Sequence, residues 1–189
     1  MVFRQVTGAA STGVNEMTRN KSRMSFRWGF LVAVVLASAA CPESPDLTLP
    51  TPEAVAGYYS YEGTLTADLS GNVAEVVVTQ PAYQLRRGGA LWARVGPYVV
   101  LFTEDTQRLL EDYPGLAAVR VITKVTGGTE VARALLTRDT LTGVLWRRSL
   151  NIAGKARLEG TSKPGLLEDL VRWGEDHTQF EYNARFTAR

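Results

Sequence analysis

The sequence has very little cysteine and histidine, with one residue of each, Cys41 and His177, among 189. A single cysteine excludes a framework of internal disulfide bonds. One cysteine and one histidine are too few for a Cys/His zinc site, so no metal and no other cofactor is expected. The Gly-x-Ser-x-Gly motif of serine hydrolases and a phosphate-binding glycine loop before a helix are also absent.

His177, next to Glu175 and Asp176, is the one histidine that could act as a general base. The alternation of residues around it predicts an exposed histidine on the polar face at the start of a strand. We therefore expect a protein that is not an enzyme. An enzyme of unfamiliar type is kept as the third functional hypothesis.

The sequence also has no apolar run long enough to span a membrane as a helix. The uncharged run Trp28–Ala40 has thirteen residues, whereas a spanning helix needs about 20. It follows the basic residue Arg27 and ends in small residues just before Cys41. A run of this length and flanking chemistry is typical of a secretion signal.

The end of this run, Ser38-Ala39-Ala40-Cys41, resembles the lipobox of bacterial lipoproteins at the two small positions and at the cysteine. It differs at Ser38, where that family usually has leucine. The resemblance covers Met24–Cys41 and implies that Cys41 carries a diacylglyceryl group and becomes the N-terminus after cleavage. It also implies a membrane-anchored protein of the bacterial cell envelope, facing the periplasm or the outer surface.

Three other interpretations of Cys41 remain open at this point. The apolar run could be an uncleaved signal anchor, or an ordinary signal cleaved nearby. The cysteine could instead be a buried structural residue at the end of a core helix.

Composition divides the chain into four segments. Residues 1–23 are interpreted as a disordered basic extension or a mis-set start, 24–40 as the signal peptide, 41–53 as a Pro-rich tether and 54–189 as a β-rich domain. The first 40 residues hold five basic residues and one acidic residue, so 16 basic and 18 acidic residues remain after cleavage, a net charge of −2. This balance predicts no binding to nucleic acid.

Hydrophobic patterning after residue 54 predicts a mainly β fold of about eight strands with two short helices, arranged as an antiparallel meander or a barrel-like sheet. The predicted helices are 104–113, capped by Thr103, and a second one that starts at Pro164. The predicted strands are 55–66, 73–80, 90–95, 98–103, 119–126, 131–137, 141–152, 155–159 and 177–188.

Two functional hypotheses follow from this pattern. The first is a lipid-anchored, non-catalytic binding or accessory module, including the case of a subunit on a membrane complex. The second is a carrier of a small apolar ligand, because the order of elements is similar to that of lipocalin barrels. The Gly-x-Trp signature of that family is absent, and Gly57-Tyr58-Tyr59 is the nearest match.

Candidate contact residues are aromatic or basic and fall on predicted strands. Tyr58 is expected on the outer face, where it would contact a ligand or a protein partner in the envelope. Trp146 is followed by Arg147 and Arg148, and a strand would turn one of these two arginines inward. An inward charge needs a partner, for which Glu62 and Glu130 are the candidates, or it lines a polar opening.

Overall fold

In the computed structural model, the structure describes residues 46–61, 64–87 and 89–188. All described residues belong to one compact unit, Glu43–Arg189. The predicted extension, the signal peptide and Cys41 therefore lie outside the described residues.

The described part of the chain forms seven helices and five strands. The helices are α1 (Pro52–Tyr58), α2 (Ala82–Arg87), α3 (Gly89–Leu101), α4 (Glu104–Asp112), α5 (Gly143–Glu159), α6 (Pro164–His177) and α7 (Ala184–Thr187). The strands are β1 (Leu65–Ser70), β2 (Val73–Thr79), β3 (Ala118–Lys124), β4 (Glu130–Thr137) and β5 (Gln179–Tyr182). A 3-10 turn, Arg138–Thr140, follows β4.

The prediction of a mainly β fold is wrong, because helix accounts for 52% and strand for 23% of the described residues. The fold is α/β, with one sheet in the order β1-β2-β3-β4-β5. Strands β2 and β3 are parallel, and the other neighbours are antiparallel. A parallel pair needs a crossover connection, which α2, α3 and α4 provide, so the sheet is neither a meander nor a closed barrel.

One face of the sheet packs against helices. In β2, Ala74, Val76 and Val78 are buried, whereas the alternate residues are only half-buried. Helix α3 contacts β3 and β4, and α1 contacts β1 and β2. Helices α5 and α6 contact each other and α3. The core therefore lies between the sheet and α3, with further packing where α5 and α6 meet α3.

Helix α3 replaces two predicted strands, 90–95 and 98–103. Its residues are apolar on nearly all sides, and those from Ala93 to Leu101 are buried with the exception of Arg94 and Val99. A helix buried on several sides has no amphipathic period, so its sequence cannot be distinguished from a buried strand by pattern alone. Pro97 lies inside the helix and also argued against this assignment.

Helix α5 replaces two further predicted strands, 141–152 and 155–159. Its buried residues are Trp146, Ser149, Ala153 and Ala156, which have helical spacing but include small and polar types. Large apolar residues such as Val144 and Leu158 are exposed instead, at 65% and 87%. The hydrophobic stripe that predicts a helix is therefore weak in this segment.

The N-terminal strand prediction, 55–66, is also wrong, because α1 ends at Tyr58 and β1 begins at Leu65. The closing prediction, 177–188, holds only for β5, which α7 follows.

Several local predictions are confirmed. Helix α4 begins after Thr103, whose hydroxyl accepts a hydrogen bond from the Thr106 amide at 3.2 Å. Helix α6 begins at Pro164. Strands β2, β3 and β4 lie within two residues of their predicted bounds. Gly127 and Gly128 form the β3–β4 turn with φ of 99° and 86°, which is the left-handed region that favours glycine.

Candidate functional site

A cleft of about 410 Å³ opens between the segment after α1, the junction of α3 with α4, and α5. Its size lies in the lower part of the range of small-molecule sites in proteins, about 300–1,000 Å³. The lining residues are Tyr59, Ser60, Tyr61, Val99, Val100, Thr103, Glu104, Asp105, Leu150 and Arg157. They supply aromatic, apolar, acidic and basic groups to one space.

Two tyrosines form the aromatic part of the cleft. The Tyr59 and Thr106 hydroxyls share a hydrogen bond of 3.0 Å, and Thr106 also donates to the Val100 carbonyl at 3.3 Å. Burial raises the pKa of Tyr59. The Tyr61 hydroxyl donates to the Thr79 carbonyl at 3.4 Å. Because these hydrogen bonds hold the hydroxyls, the rings line the cleft in a defined orientation.

Arg157 supplies the positive charge. Its Nη1 donates to the carbonyls of Val99 at 2.9 Å and Phe102 at 3.5 Å, at the end of α3. A guanidinium at a helix C-terminus is favoured by the helix dipole and by the unpaired carbonyls there. The carbonyls therefore fix the guanidinium on the wall of the cleft.

Glu104 and Asp105 supply negative charge from the first turn of α4. Asp105 accepts a hydrogen bond of 2.6 Å from Arg108 on the next turn. For Glu104, no hydrogen bond or ion pair is found within the described ranges. The cleft thus presents the guanidinium of Arg157 and the carboxylate of Glu104, which has no protein partner among the described residues.

A second polar cluster connects the core with the surface across α3, α6 and β5. The Tyr98 and Tyr182 hydroxyls share a hydrogen bond of 2.7 Å, and Tyr182 donates to Glu175 at 3.0 Å. Glu175 also forms an ion pair with Arg94, whose guanidinium lies 5.5 Å from the centre of the Tyr182 ring. Each of the four side chains in this cluster has a polar partner within it, so we interpret the cluster as a structural link between α3, α6 and β5.

The tyrosines predict a loss of stability at high pH. Burial raises the pKa of Tyr98 to about 12 and also raises the pKa of Tyr182. An unfolded tyrosine ionises near pH 10, so above that pH the unfolded state releases protons that the folded state keeps. The tyrosine contribution is therefore complete below pH 10 and is lost as the pH rises toward 12. For the fully buried Tyr98 the free energy of unfolding should fall by about 1.4 kcal/mol per pH unit in this window.

Urea unfolding at pH 8, 10, 11 and 12 measures this slope. The matched variant is Tyr98→Phe, which cannot ionise at this position and should show a shallower fall above pH 10. An identical slope in the variant would contradict the role assigned to Tyr98.

The structure distributes the predicted contact residues over separate places. Tyr58 donates a hydrogen bond of 2.6 Å to Asp112, and its ring meets Tyr113 edge-on at 6.2 Å. Burial, followed by the bond to Asp112, raises the pKa of Tyr58 to about 12. Tyr58 is thus engaged with α4 and the residue that follows it, and does not lie on the outer face of a strand.

The other three candidates lie on α5, so the predicted inward charge does not arise. Trp146 is buried, and Arg147 and Arg148 are both exposed. The Arg148 guanidinium lies 4.5 Å from the centre of the Trp173 ring, a cation–π geometry. Glu130, one of the proposed partners, lies 3.6 Å from Arg133 instead. Neither Tyr58 nor any of these three residues lines the cleft.

His177 lies at the end of α6 rather than on a strand. Its ring stacks on Trp173 with centroids 3.9 Å apart, and its Nδ1 is 2.8 Å from the Trp173 carbonyl. The indole in turn donates to Ser149 at 2.8 Å. These contacts hold the half-buried histidine against Trp173 of its own helix, and Trp173 in turn connects α6 with α5.

The cleft residues were not predicted, because they come from four separate parts of the chain. Glu104 and Asp105 were expected only as first-turn residues of a helix. Arg157 fell on a predicted strand, 155–159, where its contact with the end of α3 could not be foreseen. The one available signal was Thr51-Pro52-Glu53, a cap followed by proline and an acidic residue, which predicts α1 and so places Tyr59 after a helix.

Over the described ranges, no three or more His, Cys, Asp and Glu residues come together in a way that could hold a metal ion. No helix among the described residues has the length and apolar character needed to cross a membrane. Comparison with family models, with curated proteins and with solved structures gave no match.

Proposed function

We propose that this chain is a lipid-anchored, non-catalytic binding module of the bacterial cell envelope, and that its cleft is the binding site. The observation that carries the proposal is the combination, in one cleft, of two tyrosines, the carboxylate of Glu104 and the guanidinium of Arg157. A few polar groups placed against aromatic and apolar walls are typical of small-ligand and peptide sites.

The anchor in this proposal is the lipid on Cys41, supported by the lipobox resemblance. Four residues lie between Cys41 and Asp46, the first described residue, so five Cα–Cα steps join the two. They span at most about 18 Å when fully extended. Pro50 is buried, and the Leu47 backbone lies against Gly115, so the chain is already packed on the domain at Leu47. The lipid would thus keep the domain near the membrane surface.

One preparation from the native membrane tests both halves of the proposal. A photoreactive amino acid replaces Ser60, which is exposed on the cleft, and the matched control replaces Lys155, which is exposed on α5 outside the cleft. After irradiation of intact cells, we expect an N-terminus at Cys41 carrying acyl mass, and an adduct on the Ser60 peptide that is absent from the Lys155 peptide. Cys41→Ser should remove the acyl mass.

Each readout can fail separately. An N-terminus that retains residues 1–40 would contradict the lipid anchor. Equal adducts at both positions, or none at Ser60, would contradict the assignment of the cleft as the binding site. Mass spectrometry of the N-terminal and cleft peptides provides both measurements.

A further inference from the structure

We infer that the cleft binds a small zwitterion, with a free ammonium group and a free carboxylate, in the size class of an amino acid or a dipeptide. The inference rests on the proposed function, because it names the ligand class of the same cleft. It starts from the two opposite charges that line one space, on different helices: Glu104 on α4 and Arg157 on α5.

The ligand carboxylate is assigned to Arg157. Two hydrogen bonds from Nη1 to the carbonyls of Val99 and Phe102 occupy one corner of the guanidinium. Its Nε and Nη2 groups make no hydrogen bond or ion pair within the part of the chain that the structure describes. The edge of the guanidinium formed by Nε and Nη2 carries two parallel N–H donors, which is the geometry that binds a carboxylate bidentately. Because the Nη1 hydrogen bonds already restrict the Arg157 side chain, ligand binding costs less side-chain conformational entropy.

The ligand ammonium is assigned to Glu104. Its carboxylate is an acceptor without a partner among the described residues, whereas that of Asp105 is already paired with Arg108. The rings of Tyr59 and Tyr61 line the same cleft, and aromatic rings attract cations. An ammonium group is therefore stabilised by one carboxylate and by the aromatic wall.

The size and the walls limit the ligand. A space of about 410 Å³ accommodates an amino acid or a dipeptide and leaves room for water. Val99, Val100 and Leu150 provide apolar surface, and Ser60 and Thr103 contribute hydroxyl groups. A side chain of modest size on the ligand can pack against the three apolar residues.

Titration calorimetry of the full chain in detergent micelles tests the inference with three probes. L-Alanyl-L-alanine has both charges, N-acetyl-L-alanyl-L-alanine lacks the ammonium, and L-alanyl-L-alanine amide lacks the carboxylate. We expect the dipeptide to bind at least about tenfold more tightly than either blocked form, since each loses one charge-assisted contact.

Variants assign each charge to its residue. Arg157→Lys keeps a positive charge and a donor for the Val99 carbonyl but removes the bidentate edge, and should weaken the dipeptide about tenfold. Glu104→Gln should do the same. The matched controls are Lys155→Gln on α5 and Glu111→Gln on α4, which lie outside the cleft and should leave binding unchanged. Thermal unfolding of each variant confirms that it is folded.

The outcomes separate the ligand class from the function. Equal binding of the dipeptide and one blocked form would overturn the zwitterion in favour of a simple anion or cation. No binding of the dipeptide at 10 mM would also overturn it, because the binding free energy would then be weaker than roughly 3 kcal/mol. If the Ser60 adduct still forms in cells, the proposed function stands and only the ligand class is wrong.

Discussion

Gly174→Ala is expected to lower the free energy of unfolding by about 3 kcal/mol, the upper part of the range for overpacked cores. A Cβ at Gly174 would lie within 2.6 Å of three atoms of the Tyr98 ring. Tyr98 is fully buried, and its hydroxyl is bonded to Tyr182, so the ring cannot move aside freely. Helices α3 and α6 would have to separate instead.

The destabilisation expected for Gly174→Ala is opposite in sign to the usual effect of this substitution. Replacing glycine by alanine inside a helix normally stabilises by about 1 kcal/mol, because alanine has the higher helix propensity. Gly154 in α5 is the matched control, since a Cβ there would meet nothing within 4 Å. We expect Gly154→Ala to stabilise and Gly174→Ala to destabilise in urea unfolding. A Gly174→Ala protein as stable as the parent would contradict the contact between Gly174 and Tyr98.

Arg138→Met is expected to cost about 3 kcal/mol of stability, through the loss of charge-assisted hydrogen bonds to backbone carbonyls. The Arg138 guanidinium donates to the Leu116 carbonyl at 2.7 Å and also to the carbonyls of Leu110 and Tyr113. These groups lie at and just after the end of α4, where a helix leaves carbonyls without partners. Tyr113 retains a donor, the Leu116 amide at 3.0 Å, so the other two carbonyls lose most.

Two further variants separate the hydrogen bonds from the charge. Arg138→Lys keeps the charge but only one compact donor group, so we expect an intermediate loss of about 1–2 kcal/mol. Arg108→Met removes an exposed arginine from α4 that is paired with Asp105 and should change stability by no more than about 0.5 kcal/mol. Equal losses for Arg138→Met and Arg108→Met would show that the carbonyl contacts contribute little.

Local signals in the sequence were sufficient for α4, α6 and the β3–β4 turn. Thr103 satisfies an amide in the first turn of α4, Pro164 suits the first turn of α6, and Gly127–Gly128 adopt a backbone that other residues avoid. Each of these signals acts within a few residues, so it needs no information about the rest of the fold. The alternation of buried and less buried residues in β2, β3 and β4 is likewise a local signal.

The fold class could not be obtained in this way, because it depended on α3 and α5. An apolar segment such as 89–101 satisfies a buried helix and a buried strand equally well, and the choice depends on what surrounds it. Here the sheet lies on one side of α3, and α5 and α6 pack against it as well. In α5 the close approach to neighbouring helices uses small residues, Ala153 and Ala156, which carry little hydrophobic signal.

The sequence by itself contains the pattern before Cys41 that resembles a lipobox, which stays a prediction, and it determined the short-range starts and turns of several elements. Tertiary structure alone decided that α3 is a helix and that β2 and β3 are parallel. It also decided that Glu104, Arg157 and the two tyrosines line one cleft. The physical reason is distance along the chain. Caps and turns are satisfied by near neighbours. The cleft instead brings together residues about 40 to 100 positions apart in the sequence, and Tyr59 and Arg157 are the most distant pair.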